Sequence, residues 1–214
     1  MLEATKTISE GTTGLQSWKA SQILASWIFR HERVALKLAN IIEVGCGPGL
    51  LSIALAKYLQ PASLCATDHH PSALTLCQRN ATINSLESES SFSVKCLDIS
   101  ERPVVNDTYD VLLAADLVSA FHCLLLFQPG TSAEDTAIIQ TFTEGLIDAL
   151  VFMLQDNMSM SFYIAHTIRR PLTFQYLLDQ LRHNNVVFSV TDITNAVDTT
   201  SCNEDGPVIL LKSS

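Results

Sequence analysis

The run Ile41-Ile42-Glu43-Val44-Gly45-Cys46-Gly47-Pro48-Gly49-Leu50-Leu51-Ser52 holds the residue types and spacing best suited to chemistry. A buried-type strand, a glycine turn and a helix start follow one another with no spacer. Glycines at 45, 47 and 49 permit positive φ and let the backbone approach a ligand closely. Pro48 suits the first turn of a helix whose free N–H groups face the same ligand. The chemistry is the binding of a nucleotide-type cofactor. Its glycines run G-x-G-x-G, whereas a dinucleotide turn needs G-x-G-x-x-G, and no Lys-Ser or Lys-Thr follows to make a phosphate-cradling P-loop. Further along, Ser63-Leu64-Cys65-Ala66-Thr67-Asp68 reads as a short strand ending in an acid, the place where a ribose diol would be gripped.

Residues placed this way need a parallel sheet with crossover helices. Leu15, Ile23, Leu24, Trp27 and Ile28 predict an amphipathic helix over residues 16 to 31, ahead of the first strand. A helix from Pro48 to Tyr58 follows the glycine turn, and a second crossover helix, Pro71 to Asn84, carries Leu74, Leu76 and Ile83 inward. Phe92 to Leu97 reads as strand three, ending at Asp98. Tyr109 to Ala115 is strand four, a continuous apolar run of the kind found in sheets covered on both faces.

A less regular region, Leu117 to Glu134, precedes a helix from about Asp135 to Gln155. Ser159 to Thr167 is strand five and Pro171 to His183 another helix. Val186 to Ile193 and Val208 to Leu211 are closing strands, joined by a polar segment, Asn195 to Gly206, too long for a tight hairpin. The order predicts an α/β fold with a doubly wound seven-stranded sheet, mostly parallel with an antiparallel last pair. Residues 1–214 read as one domain, in which 1–34 form an N-terminal extension and a helix packing on the cofactor side.

Composition narrows the partners. A chain of 214 residues with 47% hydrophobic and 16% charged residues folds into a compact globule. Its net charge of −9 argues against nucleic acid, which requires a basic surface, and favours a cationic partner such as a lysine-bearing segment or a sulfonium cofactor. The six cysteines contain no C-x-x-C and read as reduced core thiols, the pattern of a cytosolic or nuclear protein. The six histidines lack H-x-x-x-H spacing, so no metal site is expected. Glu3 and Lys6 without an apolar run predict no secretory signal, and Ala120 to Phe127 is too short to span a bilayer.

At this level the chain resembles the seven-strand S-adenosylmethionine-dependent protein-lysine methyltransferases, a Rossmann-like class of fold. The likeness rests on Glu10-Gly11-Thr12-Thr13-Gly14-Leu15 with Trp18, on Glu43 to Leu50, on Asp68, on Cys77-Gln78-Arg79-Asn80 with Asn84, on Leu97-Asp98, and on Ala114-Ala115-Asp116. The G-T-T-G-L-x-x-W opening and the segment Ala165 to Thr173 look most like the elongation factor 2 lysine methyltransferases. The resemblance implies S-adenosyl-L-methionine as cofactor, with Glu43 in its motif, Gly45, Cys46 and Gly47 lining the methionine part and Asp68 holding the ribose. Asp98 and Ile99 would flank the adenine, while Trp18 and Ala115 would close the pocket. It further implies a cytoplasmic monomer acting on a protein substrate such as elongation factor 2, with neither nucleic acid nor membrane as partner.

Methyl transfer to lysine is an in-line displacement at a sulfonium, so the amine must arrive neutral although its free pKa is about 10.4. A nearby positive charge and an apolar channel both favour the neutral form. Asp116, just beyond strand four, is the candidate to orient the incoming ammonium, beside Ser119. The sequence departs from the family here. Asp116-Leu117-Val118-Ser119 stands where relatives carry D-x-x-Y, Leu97-Asp98-Ile99 where they carry Leu-Asp-Trp, and Lys19 where they carry an acid. The long N-terminal region typical of elongation factor 2 methyltransferases is also short or missing. The departures keep two alternatives open: a methyltransferase for a small molecule or another nucleophile, or a binding module that retains the cofactor pocket.

Overall fold

The apolar runs form one sheet from β1 (Asn40–Val44), β2 (Ser63–Asp68), β3 (Phe92–Cys96), β4 (Val111–Ala115), β5 (Ser161–Thr167), β6 (Phe188–Asp192) and β7 (Val208–Ser213). Across it the order is β3-β2-β1-β4-β5-β7-β6. The computed structural model describes residues 1–4, 15–86, 90–101, 109–117, 133–156, 159–169, 171–196 and 206–213, with the backbone alone for 133–140, 142 and 143. The first five strands in this order pair in parallel, and β7 runs antiparallel to both β5 and β6. The expected antiparallel last pair is present, and β7 is also wedged between β5 and β6.

Helices α1 (Lys19–His31), α2 (Arg33–Leu36), α3 (Leu50–Tyr58), α4 (Pro71–Ile83), α5 (Ala133–Asp156) and α6 (Pro171–His183) cover the two faces. The period of two along the strands divides the core accordingly. Ile41, Leu113, Tyr163 and Ala165 turn to the side of Ile23, Leu24, Ile28, Leu51 and Leu55 from α1 and α3. Ile42, Val44, Leu112, Ala114, Phe162 and Ile164 turn to the side of Ile147, Leu150 and Met153 from α5 and Leu177 and Leu181 from α6. Because both sides are dry, a one-residue slip of a central strand would swap every side chain between two differently shaped cores. The register that results brings the carboxyl ends of β1, β4 and β5 level, with Val44 beside Ala114 and Ala115 beside Ala165. Among the described residues no helix is long and apolar enough to cross a membrane.

Several boundaries differ from the sequence reading. The helix expected from Pro48 begins at Leu50, because Gly49 sits before it in the left-handed conformation at φ 87°. The strands are shorter than expected at Leu97, Tyr109, Ser159 and Val186. A four-residue helix, Arg33–Leu36, and a 3-10 turn, Ile99–Glu101, were not anticipated. On α4 the buried face is Ala73, Cys77, Asn80 and Ala81, while Leu74 and Leu76 are half-buried and Ile83 is 57% exposed. Small residues are selected there because α4 packs close to the glycine turn. The thiols of Cys46, Cys65 and Cys77 are buried as expected, whereas Cys96 is exposed on the edge strand β3. The residues between Leu117 and Ala133, most of the 195–206 segment and the G-T-T-G opening lie outside the described residues.

Candidate functional site

The glycine turn leaves β1 with Gly45, Gly47 and Gly49 all at positive φ, at 72°, 52° and 87°. At two of these the space is also taken. A Cβ on Gly45 would lie 2.6 Å from Leu117 Cδ1, and one on Gly49 would lie 2.5 Å from Cys77 Sγ. The turn is tied down by backbone bonds, Cys46 N–H donating to Thr67 O at 2.8 Å and Gly49 N–H to Cys46 O at 2.9 Å. Asn80, fully buried on α4, donates to Pro48 O at 2.9 Å and to Leu2 O at 2.9 Å. It also accepts from Leu2 N–H at 2.6 Å, which lays the first residues of the chain against the outside of the turn.

Asp68 ends β2 beside this turn with 7% exposure. Its Oδ2 accepts the Gly47 N–H at 3.0 Å and its Oδ1 the His70 N–H at 2.9 Å, with His69 Nδ1 at 3.5 Å from the same oxygen. The acid is therefore presented by a short local loop. Next to it the Nδ1 of His70 is buried with no hydrogen-bond partner among the described residues.

Glu43 sits deeper, at 1% exposure. Its Oε2 accepts the Ser52 N–H at 3.0 Å and, in a very short contact, the Ser52 hydroxyl. Burial pushes its carboxyl up to about 8, against the lowering effect of both Ser52 bonds. Glu43 thus acts as a positioning acid that fastens the start of α3 to β1. Cys46 points inward, and the neighbouring Cys77 together with burial pushes its thiol well up, so it is no nucleophile.

The other end of the site lies at the tips of β4 and β5. Ala115 is 8% and Asp116 1% exposed. Asp116 takes φ 53°, a left-handed conformation that only Asn, Asp and Gly adopt readily, at the point where the chain leaves the sheet. Its Oδ1 accepts the Thr167 N–H at 2.7 Å and its Oδ2 the Thr167 hydroxyl at 2.8 Å. Arg169 Nη2 completes the set at 3.4 Å, and the Arg169 guanidinium lies over the Trp18 ring at 4.9 Å from its centroid. Trp18 itself is the residue before α1, half-buried, so the indole closes this end from the N-terminal helix.

The sequence-expected residues thus gather along the carboxyl edge of β2, β1 and β4, with Trp18 brought in from the helix before them. Asp98 is placed beyond β3, where its Oδ1 accepts from the N–H and hydroxyl of Ser100 at 2.9 and 2.6 Å. Those bonds, led by the hydroxyl, hold its carboxyl below the usual range. Ile99, by contrast, is 4% exposed and joins the core under α5. Ser119 lies outside the described residues. Thr167 and Arg169, which no role was given from the sequence, turn out to be the partners of Asp116. A polar residue closing an otherwise apolar strand, followed two positions later by an arginine, is the signal that could have marked them.

The family model for lysine methyltransferases matches residues 1–144 of the chain. Over 194 residues the chain is 29% identical to the human protein-lysine N-methyltransferase EEF2KMT, a match covering 88% of this chain and 56% of that protein. The mouse protein-lysine N-methyltransferase EEF2KMT is 29% identical over 182 residues, covering 84% of this chain and 52% of its own length. The chain spans about half the length of these curated relatives. Among solved structures, an S-adenosylmethionine-dependent methyltransferase from Clostridium acetobutylicum superposes with a TM-score of 0.57 at 11% identity, covering 89% of this chain and 90% of the other. That last likeness is one of fold.

Proposed function

This chain belongs to the lysine methyltransferase family, and we propose that it is a protein-lysine N-methyltransferase acting on elongation factor 2 or a similar protein. Cytoplasmic location and a monomeric single domain belong to the same reading. The cofactor of the family is S-adenosylmethionine, and the residues present fit it. Two carboxylate oxygens offer about four lone-pair sites, and each oxygen of Asp68 accepts one backbone N–H, which leaves acceptor capacity on both for the two hydroxyls of a ribose. The buried, unpartnered His70 Nδ1 beside it offers one more polar contact. The glycine turn between Asp68 and Asp116 would carry the methionine part across Gly45, Cys46 and Gly47, with Asp98 and Ile99 toward the adenine.

When bound, the cofactor supplies a sulfonium methyl group, to which a neutral amine nitrogen forms its bond as the sulfur–carbon bond breaks and the sulfur keeps the electron pair. The chain's own part is to position and to dry the acceptor. Asp116 and Ser119 would border the lysine, Asp116 orienting its ammonium before a proton is lost. A bare carboxylate would hold that proton on the amine, raising its pKa. Arg169, at 3.4 Å from Oδ2, offsets this by sharing the acid's charge. The observation that carries the reading is the level placement of Asp68, the glycine turn and Asp116 on one sheet edge, in a chain whose family match is to lysine methyltransferases.

A second reading has one observation in its favour. The Asp116 side chain is fully buried and its polar contacts among the described residues come from Thr167 and Arg169, an arrangement suited to a cofactor-binding module as well. Purified protein and tritiated S-adenosylmethionine, incubated with purified elongation factor 2 and in parallel with cell lysate, separate the two, with mass spectrometry of the acceptor. The expected result is methyllysine on elongation factor 2. Label on a different protein would move the substrate assignment, and label on a small molecule would remove the protein-lysine reading. Cofactor binding without transfer to any lysate component would favour the binding module.

A further inference from the structure

The residues around Arg169 carry more donors than their surroundings use. Its guanidinium has five N–H donors in a rigid fork and no acceptor. Among the described residues its side-chain polar contact is the long one to Asp116, made by Nη2 at 3.4 Å. The other terminal nitrogen, Nη1, is buried without a hydrogen-bond partner among the described residues, and the same is true of Trp18 Nε1 and Ser17 Oγ. The Arg169 guanidinium lies over the Trp18 ring, 4.9 Å from its centroid, so two residues from distant parts of the chain, each with a buried donor unpaired among the described residues, are in contact. Unpaired buried donors are costly and native proteins rarely keep them without a use. What would satisfy both is an acceptor-only, planar, anionic group, that is, a carboxylate.

The position selects which carboxylate. Neighbouring strands lie about 4.8 Å apart, and Asp68 on β2 and Asp116 on β4 are separated by two strand steps, so a ligand held at Asp68 by its ribose and laid across the glycine turn reaches the tip of β4 about 10 Å away. Arg169 follows β5 but reaches back over β4 to Asp116. The end of the cofactor opposite the ribose is an amino acid. We propose that Arg169 Nη1 binds the α-carboxylate at the methionine end of S-adenosylmethionine, with Trp18 Nε1–H as the second donor. The inference rests on S-adenosylmethionine as the cofactor. In this arrangement Arg169 bridges two carboxylates, one from the ligand and one from Asp116, and keeps them from repelling each other.

The test compares S-adenosylmethionine with decarboxylated S-adenosylmethionine, which lacks only that carboxylate, by calorimetry on the whole chain. The wild type is expected to prefer the carboxylated form about thirtyfold, the worth of a charged hydrogen-bonded pair. Arg169→Gln should weaken S-adenosylmethionine by about the same factor and leave the decarboxylated form within about twofold, erasing the preference. Trp18→Phe, which keeps the ring beneath the guanidinium and removes the N–H, should lose about fivefold for the carboxylated form alone. Equal weakening of both ligands by Arg169→Gln would overturn the proposal and leave the arginine a positioning residue for Asp116. A wild type without any preference would overturn it too, and that measurement stands even if Arg169→Gln fails to fold. A wild type that binds neither ligand would remove the cofactor assignment and the proposal together.

Discussion

Asp68 and Asp116 are both buried acids at the carboxyl edge of the same sheet, but they are held in opposite ways. Asp68 is answered by backbone N–H groups of Gly47 and His70, within 21 residues of it in the chain. Asp116 is answered by the N–H and hydroxyl of Thr167 and the guanidinium of Arg169, 51 and 53 residues away. A site built from local backbone forms whenever its strand–turn–helix unit forms. A site built from distant residues exists only once β5 has docked against β4 in register. The end proposed to hold the ribose is therefore set by the turn, while the end proposed for transfer depends on tertiary packing and can be altered by changing one side chain.

The largest expected effect is on the local side. Asp68→Ala removes both acceptors proposed for the ribose diol and frees the Gly47 N–H, and cofactor affinity should fall by about a hundredfold or more, read by calorimetry with S-adenosylhomocysteine. An affinity within a few-fold of wild type would place the cofactor elsewhere. On the distant side Asp116→Asn is the matched probe, because asparagine tolerates the left-handed conformation and can still accept from Thr167. Cofactor affinity should stay within about threefold while methyl transfer drops about a hundredfold, as expected when a charged positioning partner is lost. If affinity fell as far as it does in Asp68→Ala, the division of labour between the two acids would be wrong.

A third probe asks how rigid the local side is. Gly49→Ala must hold alanine at φ 87° with its Cβ 2.5 Å from Cys77 Sγ, so the turn or α4 has to shift. The combined strain and overpacking should cost about 2–4 kcal/mol of stability in chemical denaturation. Loss below 1 kcal/mol would show that α4 yields easily and that the turn is less fixed than its hydrogen bonds suggest.

The same contrast explains what could be read from the sequence. The cofactor end was legible because its signals are contiguous: Glu43 to Ser52 spells strand, turn and helix, and Asp68 closes the next apolar run. The sheet was legible because five strands are apolar on both faces. Helix α4 misled, since Leu74, Leu76 and Ile83 look like a core stripe, whereas packing against the glycine turn favours Ala73, Cys77 and Asn80, which are small or able to bond backbone. The end of β5 could be marked by Thr167 and Arg169, but their partner could not, because no local pattern says that β5 lies beside β4. Ile99, proposed to flank the adenine, also packs into the apolar core under α5, a tertiary contact that no local pattern announced.

Glu43 supplies the smallest and cleanest test, because it is local like Asp68 but fully buried and bonded to Ser52. Its carboxyl titrates near 4.5 in an unfolded chain and is pushed up to about 8 in the folded one, chiefly by burial. Between those two values the folded state holds a proton that the unfolded state has released. Stability must then fall as pH rises through this window, being fully present below pH 4.5 and lost above about pH 8. The steepest slope one such group can give is about 1.4 kcal/mol per pH unit. Glu43→Gln keeps an oxygen to accept the Ser52 N–H and cannot titrate, so it should flatten the profile. The stability difference between wild type and variant, followed by urea denaturation from pH 6 to 8, should move by about 1–2 kcal/mol in favour of the variant. Taking the difference cancels whatever is common to both proteins. A difference that stays constant across this range would mean that Glu43 is ionised in the folded state and that Ser52 stabilises a buried carboxylate, which would make the glycine turn's acid support electrostatic rather than a neutral hydrogen bond.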